Sequence, residues 1–218
     1  MIISPGRKFI FVHIPKTGGT SFALALEDRA MKGDILIGDT PKAIRRRGRL
    51  EGVQTAGRLW KHSTLADARG LITHHDMDHF MVVTLVRNPW DRIVSYYHWL
   101  RAQHFDHNAV TLAKSHDFSG FLNHPETQAS LVANPYDKYV CDAFGTNHGD
   151  VFARIEYADA DLAPFWAHVG FEVPLPHVNR SDRAKSYQSY YSPSDRDLVG
   201  RLCAQDIGRF GYAFDTAP

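Results

Sequence analysis

A chain of 218 residues, 44% of them hydrophobic, can bury a substantial core, and we expect one domain over residues 1–218. The formal net charge of +1 argues against a general nucleic-acid binder, and two cysteines without a spaced Cys/His framework argue against a disulfide scaffold or a zinc finger. Because neither a secretory leader nor an apolar run of membrane-spanning length is present, we expect a soluble cytoplasmic protein.

The first motif is a strand, a glycine turn and a helix start, in the sequence FIFVHIPKTGGTSF. The apolar run Phe9–Ile14 predicts a buried strand, Pro15 ends it, and a helix should cover about Thr20 to Ala30. Adjacent glycines allow the backbone N–H groups to turn toward one point, and the helix N-terminus adds partial positive charge. We therefore predict a cradle for a phosphate or sulfate group. Its members are Lys16, Thr17, Gly18, Gly19, Thr20 and Ser21.

The residue order distinguishes this loop from an ATP-binding loop, because Lys16 precedes the glycines, whereas the Walker A lysine follows them. PKTGGTS instead resembles the 5′-phosphosulfate loop of sulfotransferases that use 3′-phosphoadenosine-5′-phosphosulfate (PAPS). HIPKTGGTS resembles the carbohydrate branch that contains heparan sulfate 2-O-sulfotransferase, and the lack of an anchor favours a bacterial-type soluble member. The resemblance implies that the loop holds the 5′-phosphate and that Lys16 neutralises charge on the bridging oxygen as the sulfuryl group leaves.

Downstream of a possible short strand at Asp34–Gly38, residues 40–61 are strongly basic. This segment is either a mobile solvated loop or a basic lip that attracts an anionic acceptor or the phosphates of the donor. Its cationic residues are Lys42, Arg45, Arg46, Arg47, Arg49, Arg58 and Lys61.

His62 lies between the two candidate donor-binding motifs, where a loop meets the start of a short helix. A single histidine is often structural, but functional residues gather at element ends. KHSTLADAR resembles the Lys-His-Ser/Thr segment of bacterial sulfotransferases, which implies that His62 is the catalytic base. In the heparan sulfate 2-O-sulfotransferase group a His-x-His pair supplies this base, and here Thr64 replaces the second histidine.

The short stretch His74–His79, HHDMDH, has the composition of a metal cluster, but no second ligand cluster is evident, and a polar turn is expected. It leads into Phe80–Val86, FMVVTLV, the clearest buried strand of the sequence. We therefore expect the protein to bind no metal ion.

The second motif, LVRNPWDRIVSYYHWL, follows that strand and continues as a helix from Pro89 to about Ala102. Arg87 at the strand tip and Ser95 about two turns into the helix could converge on one anion. The string resembles the 3′-phosphate motif of PAPS sulfotransferases, which implies that Arg87 and Ser95 hold the 3′-phosphate and that Arg92 is a supporting residue.

The rest of the chain is less periodic. Gln103–Gly149 is expected to determine acceptor specificity, with its histidines on the surface or in acceptor-facing loops and with short helices at Phe118–Leu122 and Tyr136–Phe144. A strand at Asp150–Ile155 precedes LPHVNRS, which resembles a family loop that approaches the donor from its far side. Arg180 and Ser181 of that loop could join the 3′-phosphate shell, or the segment is only a polar loop.

These predictions combine into a three-layer α/β/α fold with a central parallel sheet, like that of P-loop nucleotide kinases, whose site lies at the carboxyl ends of the strands. The resemblance implies in-line sulfuryl transfer from PAPS to an acceptor hydroxyl on a carbohydrate, without a metal. The alternatives are a nucleotide-dependent kinase and a non-catalytic nucleotide-binding module. The sequence identifies neither the acceptor nor the oligomeric state.

Overall fold

The computed structural model describes residues 1–174 and 186–215. They form two compact units, one from residues 1–86 and 136–174 and the other from residues 87–135 and 186–215. The expectation of one domain over the whole chain stays a prediction. Arg180 and Ser181, proposed for the 3′-phosphate shell, lie outside the described residues.

The first unit is built on a sheet whose described strands have the order β3-β1-β2-β4-β5. Strands β2, β4 and β5 are parallel, whereas β1 is antiparallel to both β2 and β3. The α/β class is confirmed, but the predicted parallel sheet is mixed. The sequence pattern missed β1 because it is only three residues long. The strands are β1 (Ile2–Ser4), β2 (Phe9–Val12), β3 (Ile35–Leu36), β4 (Met81–Val86) and β5 (Val151–Arg154).

Helices make up most of the remaining described structure, and none in residues 1–174 or 186–215 combines the length and hydropathy needed to cross a bilayer. The α-helices are α1 (Gly19–Asp28), α2 (Pro41–Arg46), α3 (His74–His79), α4 (Pro89–Arg101), α5 (Asn108–Ser115), α6 (Phe118–Asn123), α7 (Pro125–Ala133), α8 (Tyr136–Val140), α9 (Ala158–Asp161), α10 (Ala163–Val169), α11 (Pro193–Leu202) and α12 (Ala204–Phe210). Short 3₁₀ helices cover Arg47–Leu50, Ile155–Tyr157 and Tyr187–Tyr190.

In the first unit, aromatic rings fix α1 and α10 against the sheet. The Phe11 ring of β2 meets the Phe22 ring of α1 edge-on at 4.9 Å, and Phe22 lies 5.8 Å from Phe165 of α10. Ile10 and Val12, on the opposite side of the same strand, are also fully buried. Both faces of β2 are therefore covered, as expected for a strand at the centre of an α/β sheet.

The second unit packs around α4. The Tyr97 ring of this helix contacts Phe118 at 5.5 Å and Phe121 at 5.4 Å, and the indole of Trp90 donates to the Arg196 carbonyl at 3.0 Å. Asn88 caps the helix, accepting from the Trp90 N–H at 3.1 Å. The start of α4 is thus held by contacts within its own unit.

Three expectations for the less periodic segments are wrong. Part of the basic segment is helical, since Thr40 caps α2 by accepting from the Ala43 N–H at 3.1 Å. His74–His79 is helix α3 rather than a polar turn, and Thr73 and Asp76 form a capping box at its start. The middle region also contains α5 and α7, which are too short and too polar for a clear apolar period.

Candidate active site

The glycine turn lies where predicted, between β2 and the N-terminus of α1. Gly18 is the N-cap of α1 at φ 84°, and Lys16 also has a positive φ, 68°. A left-handed conformation costs a non-glycine residue about 1–2 kcal/mol, and such strained residues cluster at functional sites. Helix N-termini stabilise negatively charged groups, so the start of α1 is suited to hold one at the loop.

Neither glycine of the turn has room for a Cβ atom beside its present neighbours. A Cβ atom on Gly18 would lie 2.3 Å from Cδ1 of Ile155, and one on Gly19 would lie 2.1 Å from Cδ2 of His13. Ordinary van der Waals contact with a Cβ begins near 3.4 Å. The glycines therefore let the backbone approach Ile155 on one side and the buried imidazole of His13 on the other.

The hydroxyl residues of the loop differ in exposure. Thr17 is fully buried, and its hydroxyl donates to the Ile14 carbonyl at 2.9 Å, which closes the turn. Its contribution to an anion site is therefore limited to its backbone N–H. Thr20 and Ser21 are half-buried in the first turn of α1, where the Ser21 N–H donates to the Gly18 carbonyl at 3.0 Å.

His62 is joined to this loop through His13. Its Nδ1 lies 2.8 Å from the His13 carbonyl oxygen, and the two imidazole rings meet edge-on at 4.5 Å. Because a carbonyl oxygen only accepts, Nδ1 of His62 carries the proton, and Nε2 holds a lone pair. Trp60 also packs edge-on against the His62 ring, at 4.9 Å. The imidazole is thus fixed in one orientation and one tautomer.

Both histidines are neutral at physiological pH. Burial lowers the pKa of His62 to about 4; the hydrogen bond to the His13 carbonyl opposes this shift, and the charge of Lys61 adds to it. Burial also holds the pKa of His13 well below its usual value, and the positive charges near it, including that of Lys16, act in the same direction. A neutral His62 is already in the form that accepts a proton.

The sequence motif did not assign a role to His13, which the structure makes the link between the glycine turn and His62. Its ring lies against the Gly19 backbone, and its carbonyl oxygen orients His62. The signal available from sequence was its position at the end of a buried strand, directly before the loop. The structure therefore brings the first motif and the predicted base together within the first unit.

The carboxyl ends of β2 and β4 lie side by side. Val12 of β2 is in register with Thr84 of β4, whose hydroxyl donates to the Val12 carbonyl at 2.8 Å. Strand β4 ends two residues later at Val86, and Arg87 is the next residue of the chain. Each motif follows a strand, as the sequence predicted, and the structure shows that these two parallel strands are adjacent.

Within the second unit, Asp91 orients Arg87. Its Oδ2 accepts from Nε of Arg87 at 2.8 Å and lies 2.6 Å from Nη2 of the same guanidinium. Asp91 is one helical turn after Arg87, and the pair is largely buried. Ser95 is one further turn along α4 and is also buried. Sequence analysis assigned Arg87 and Ser95 but missed the positioning role of Asp91.

Several cations of the basic segment bind nearby carbonyl groups. Arg46 donates to the Met31 carbonyl at 2.9 Å, Arg49 donates to the Lys32 carbonyl at 2.6 Å, and Lys42 donates to the Glu27 carbonyl. Lys61 pairs with Asp39 at 2.6 Å. These contacts attach α2 and the following 3₁₀ turn to the end of α1, which favours a structural role for these side chains over an anion-binding lip.

Comparisons with known proteins identify the family of the chain and a solved structure of similar fold. A family model described as "Sulfotransferase family" matches residues 1–213. A solved structure of mouse sulfotransferase SULT7A1 complexed with PAP has a similar fold, with a TM-score of 0.54 and 16% sequence identity over 94% of this chain and 85% of that one. A search of curated proteins finds no significant match.

Proposed function

Because the chain belongs to the sulfotransferase family, we propose that it transfers a sulfuryl group from PAPS to the hydroxyl of an acceptor. The observation that carries this proposal is the contact series from Gly19 through His13 to His62. It joins an anion-binding turn to an imidazole whose Nε2 is able to accept a proton. A module that only binds nucleotide has no need for such a base.

In this proposal the glycine turn holds the 5′-phosphosulfate. The backbone N–H groups at the start of α1 and the hydroxyls of Thr20 and Ser21 supply hydrogen bonds, and Lys16 supplies charge. The strained backbone of Lys16 supports its assignment, because the left-handed conformation must be maintained by the surrounding fold.

The chemical step moves one proton and exchanges one bond to sulfur. Nε2 of His62 removes the acceptor hydroxyl proton while the acceptor oxygen forms its bond to sulfur. The bond between sulfur and the bridging oxygen of the 5′-phosphate breaks, and Lys16 stabilises the negative charge that grows on that oxygen. The products are the sulfated acceptor and 3′-phosphoadenosine-5′-phosphate (PAP). Alignment and charge stabilisation supply most of the rate, as in phosphoryl transfer.

Arg87 and Ser95 hold the 3′-phosphate of the donor in this proposal. The guanidinium is suited to this role because it is planar and permanently charged, and Asp91 fixes its orientation. The assignment of Arg180 and Ser181 to the same phosphate remains a prediction from the sequence motif. The proposed mechanism needs no metal, since lysine and arginine supply the positive charge.

We propose a carbohydrate hydroxyl as the acceptor. The support is the resemblance of HIPKTGGTS to the carbohydrate branch of the family. Identification of the acceptor therefore also tests the assignment to that branch. A panel of mono- and disaccharides, phenols and hydroxylated lipids, each offered with labelled PAPS, tests it. Labelled product from phenols or lipids, with none from sugars, would reject the carbohydrate proposal and leave the sulfotransferase proposal intact.

The catalytic role is tested with Lys16→Met and a matched control, Lys8→Met. Lys8 is also a lysine with positive φ, 52°, but it lies exposed in the turn between β1 and β2. We expect Lys16→Met to abolish turnover and Lys8→Met to leave it unchanged. A near-native rate for Lys16→Met would remove this lysine from the mechanism.

Calorimetry separates the alternative functions. A sulfotransferase should bind PAP more tightly than ATP with Mg²⁺, and a kinase the reverse. Tight PAP binding without transfer to any acceptor, in a chain whose His62 variants behave like the parent, would favour a non-catalytic module.

A further inference from the structure

Two histidines and an aspartate converge at the amino ends of β4 and β5. His74 and Asp78 lie one turn apart on α3, which leads into β4, and His148 lies just before β5. Nε2 of His74 is 3.9 Å from Oδ2 of Asp78, and Nδ1 of His148 is 3.8 Å from Oδ1 of Asp78. One candidate ligand atom from each of the three residues lies within 4.8 Å of the others.

His148 is fixed for metal binding by a second carboxylate. Its Nε2 is 3.1 Å from Oδ2 of Asp142, and its side chain is only 7% exposed. Oδ1 of Asp142 accepts the backbone N–H groups of Phe144 and Thr146, so the carboxylate is held in the turn. At this distance the Asp142 carboxylate oxygen accepts the Nε2 proton of His148. The lone pair of His148 is then on Nδ1, the atom that faces Asp78.

This arrangement sets an imidazole lone pair opposite a carboxylate oxygen at 3.8 Å. A cation between Nδ1 of His148 and Oδ1 of Asp78 would stabilise these two electron-rich atoms. A histidine oriented by a carboxylate behind it is the usual pattern of a metal-ligating histidine. His74 completes a set of two imidazoles and one carboxylate, which suits borderline divalent ions of the Zn²⁺ type rather than Mg²⁺ or Ca²⁺.

We propose that His74, Asp78 and His148 bind one Zn²⁺-type ion, with water in the fourth position. Zinc bonds of about 2.0–2.1 Å place tetrahedral ligands about 3.3 Å apart, so the three atoms must close by about 1 Å. The side chains of His74 and Asp78 are 66% and 46% exposed and can make that movement without disturbing the core.

The ion would link two segments of the first unit. It ties α3, which precedes β4, to the turn before β5, where the Asp150 N–H already donates to the Val82 carbonyl at 2.9 Å. The proposed zinc site lies at the amino ends of the parallel strands β4 and β5, whereas the glycine turn follows the carboxyl end of β2. The proposed sulfuryl transfer therefore needs no contact with the ion.

The test measures zinc binding to the full-length, tag-free chain after chelator treatment. We expect one Zn²⁺ per chain by calorimetry and a thermal midpoint that rises with zinc concentration. His74→Ala and Asp78→Asn, both at exposed positions, should each weaken binding about tenfold or more. Zinc binding that neither variant changes would overturn the proposal, as would the absence of stoichiometric binding.

The matched control is His75→Ala. His75 is an exposed histidine of the same helix whose ring lies 4.0 Å from that of His79, and these two form the rival histidine pair of α3. We expect His75→Ala to retain the parental zinc affinity. If His75→Ala loses zinc as His74→Ala does, the ion binds the rival pair or the helix in general, and the assigned site is wrong.

Discussion

Replacing Gly19 by alanine tests the link between the glycine turn and the proposed base. The new Cβ would lie 2.1 Å from Cδ2, 2.5 Å from Nε2 and 2.9 Å from Cγ of His13. The closest of these contacts is shorter by about 1.3 Å than ordinary van der Waals contact. Because the His13 ring is buried, either the ring or the start of α1 must move by about 1 Å.

Two effects of Gly19→Ala can be separated. Overpacking of a buried site costs about 1–3 kcal/mol, which for a chain of this size lowers the thermal midpoint by about 2–4 °C per kcal/mol. Displacement of His13 also moves the carbonyl that orients His62, and a misplacement of about 1 Å can reduce a catalytic rate about a hundredfold. We therefore expect a modest loss of stability with a large loss of turnover.

Thermal unfolding, PAP calorimetry and turnover with labelled PAPS measure these effects. Gly208→Ala is the matched control, since Gly208 lies within α12 and its Cβ would meet no atom within 4 Å. The control should gain stability, by at most about 1 kcal/mol, at unchanged turnover. In a double-mutant cycle with His13→Ala, the cost of Gly19→Ala should shrink by about 1 kcal/mol or more. Additive stability losses, or a Gly19→Ala variant with parental turnover, would refute the steric argument.

Further predictions concern the other parts of the proposed site. Arg87→Ala should weaken PAP binding far more than adenosine-5′-phosphate binding in calorimetry, and equal losses would contradict the 3′-phosphate role. Asp91→Asn should raise the KM for PAPS with little change in kcat. His62→Asn, which retains a donor for the His13 carbonyl, should lower kcat about 10²–10⁴-fold at unchanged PAP affinity, and parental kcat would exclude His62 as the base. Because the fold lowers the pKa of His62 from 6.5 to about 4, the unfolded chain binds the proton more readily, so His62 leaves the free energy of unfolding unchanged above pH 6.5 and reduces it as the pH falls toward 4. Urea unfolding should show a loss of about 3 kcal/mol from this residue over that range, with a smaller loss in His62→Asn, and equal pH dependence in the two chains would contradict the assignment.

The parts of the fold that were predictable from sequence are those with strong local signals. The buried strand and glycine turn before α1 and the Asn88-Pro89 start of α4 each combine an apolar run with residues that fix a boundary. The pair Ser192-Pro193 is a comparable local signal at the start of α11, where Ser192 accepts from the Asp195 N–H at 3.1 Å. These features depend on contacts between neighbours in the chain.

The features that sequence analysis missed depend on contacts between distant segments. Strand β1 is recognisable only by its pairing with β2 and β3, and the ligand set of the proposed zinc site joins residues 74 and 148. His13 acquires its role from the approach of residue 62, 49 positions away. A motif places residues on one element, but only the tertiary structure shows which side chains then touch.

The strand that carries the glycine turn has a neighbour on each side, β1 and β4, with β3 and β5 at the margins of the sheet. Opening of a sheet begins at its edges and termini, so the amide hydrogens of Ile10–Val12 should be among the slowest to exchange with solvent. The two-residue strand β3 should exchange early. The edge strands β3 and β5 can therefore open locally while β2, which precedes the donor-binding turn, keeps its hydrogen bonds.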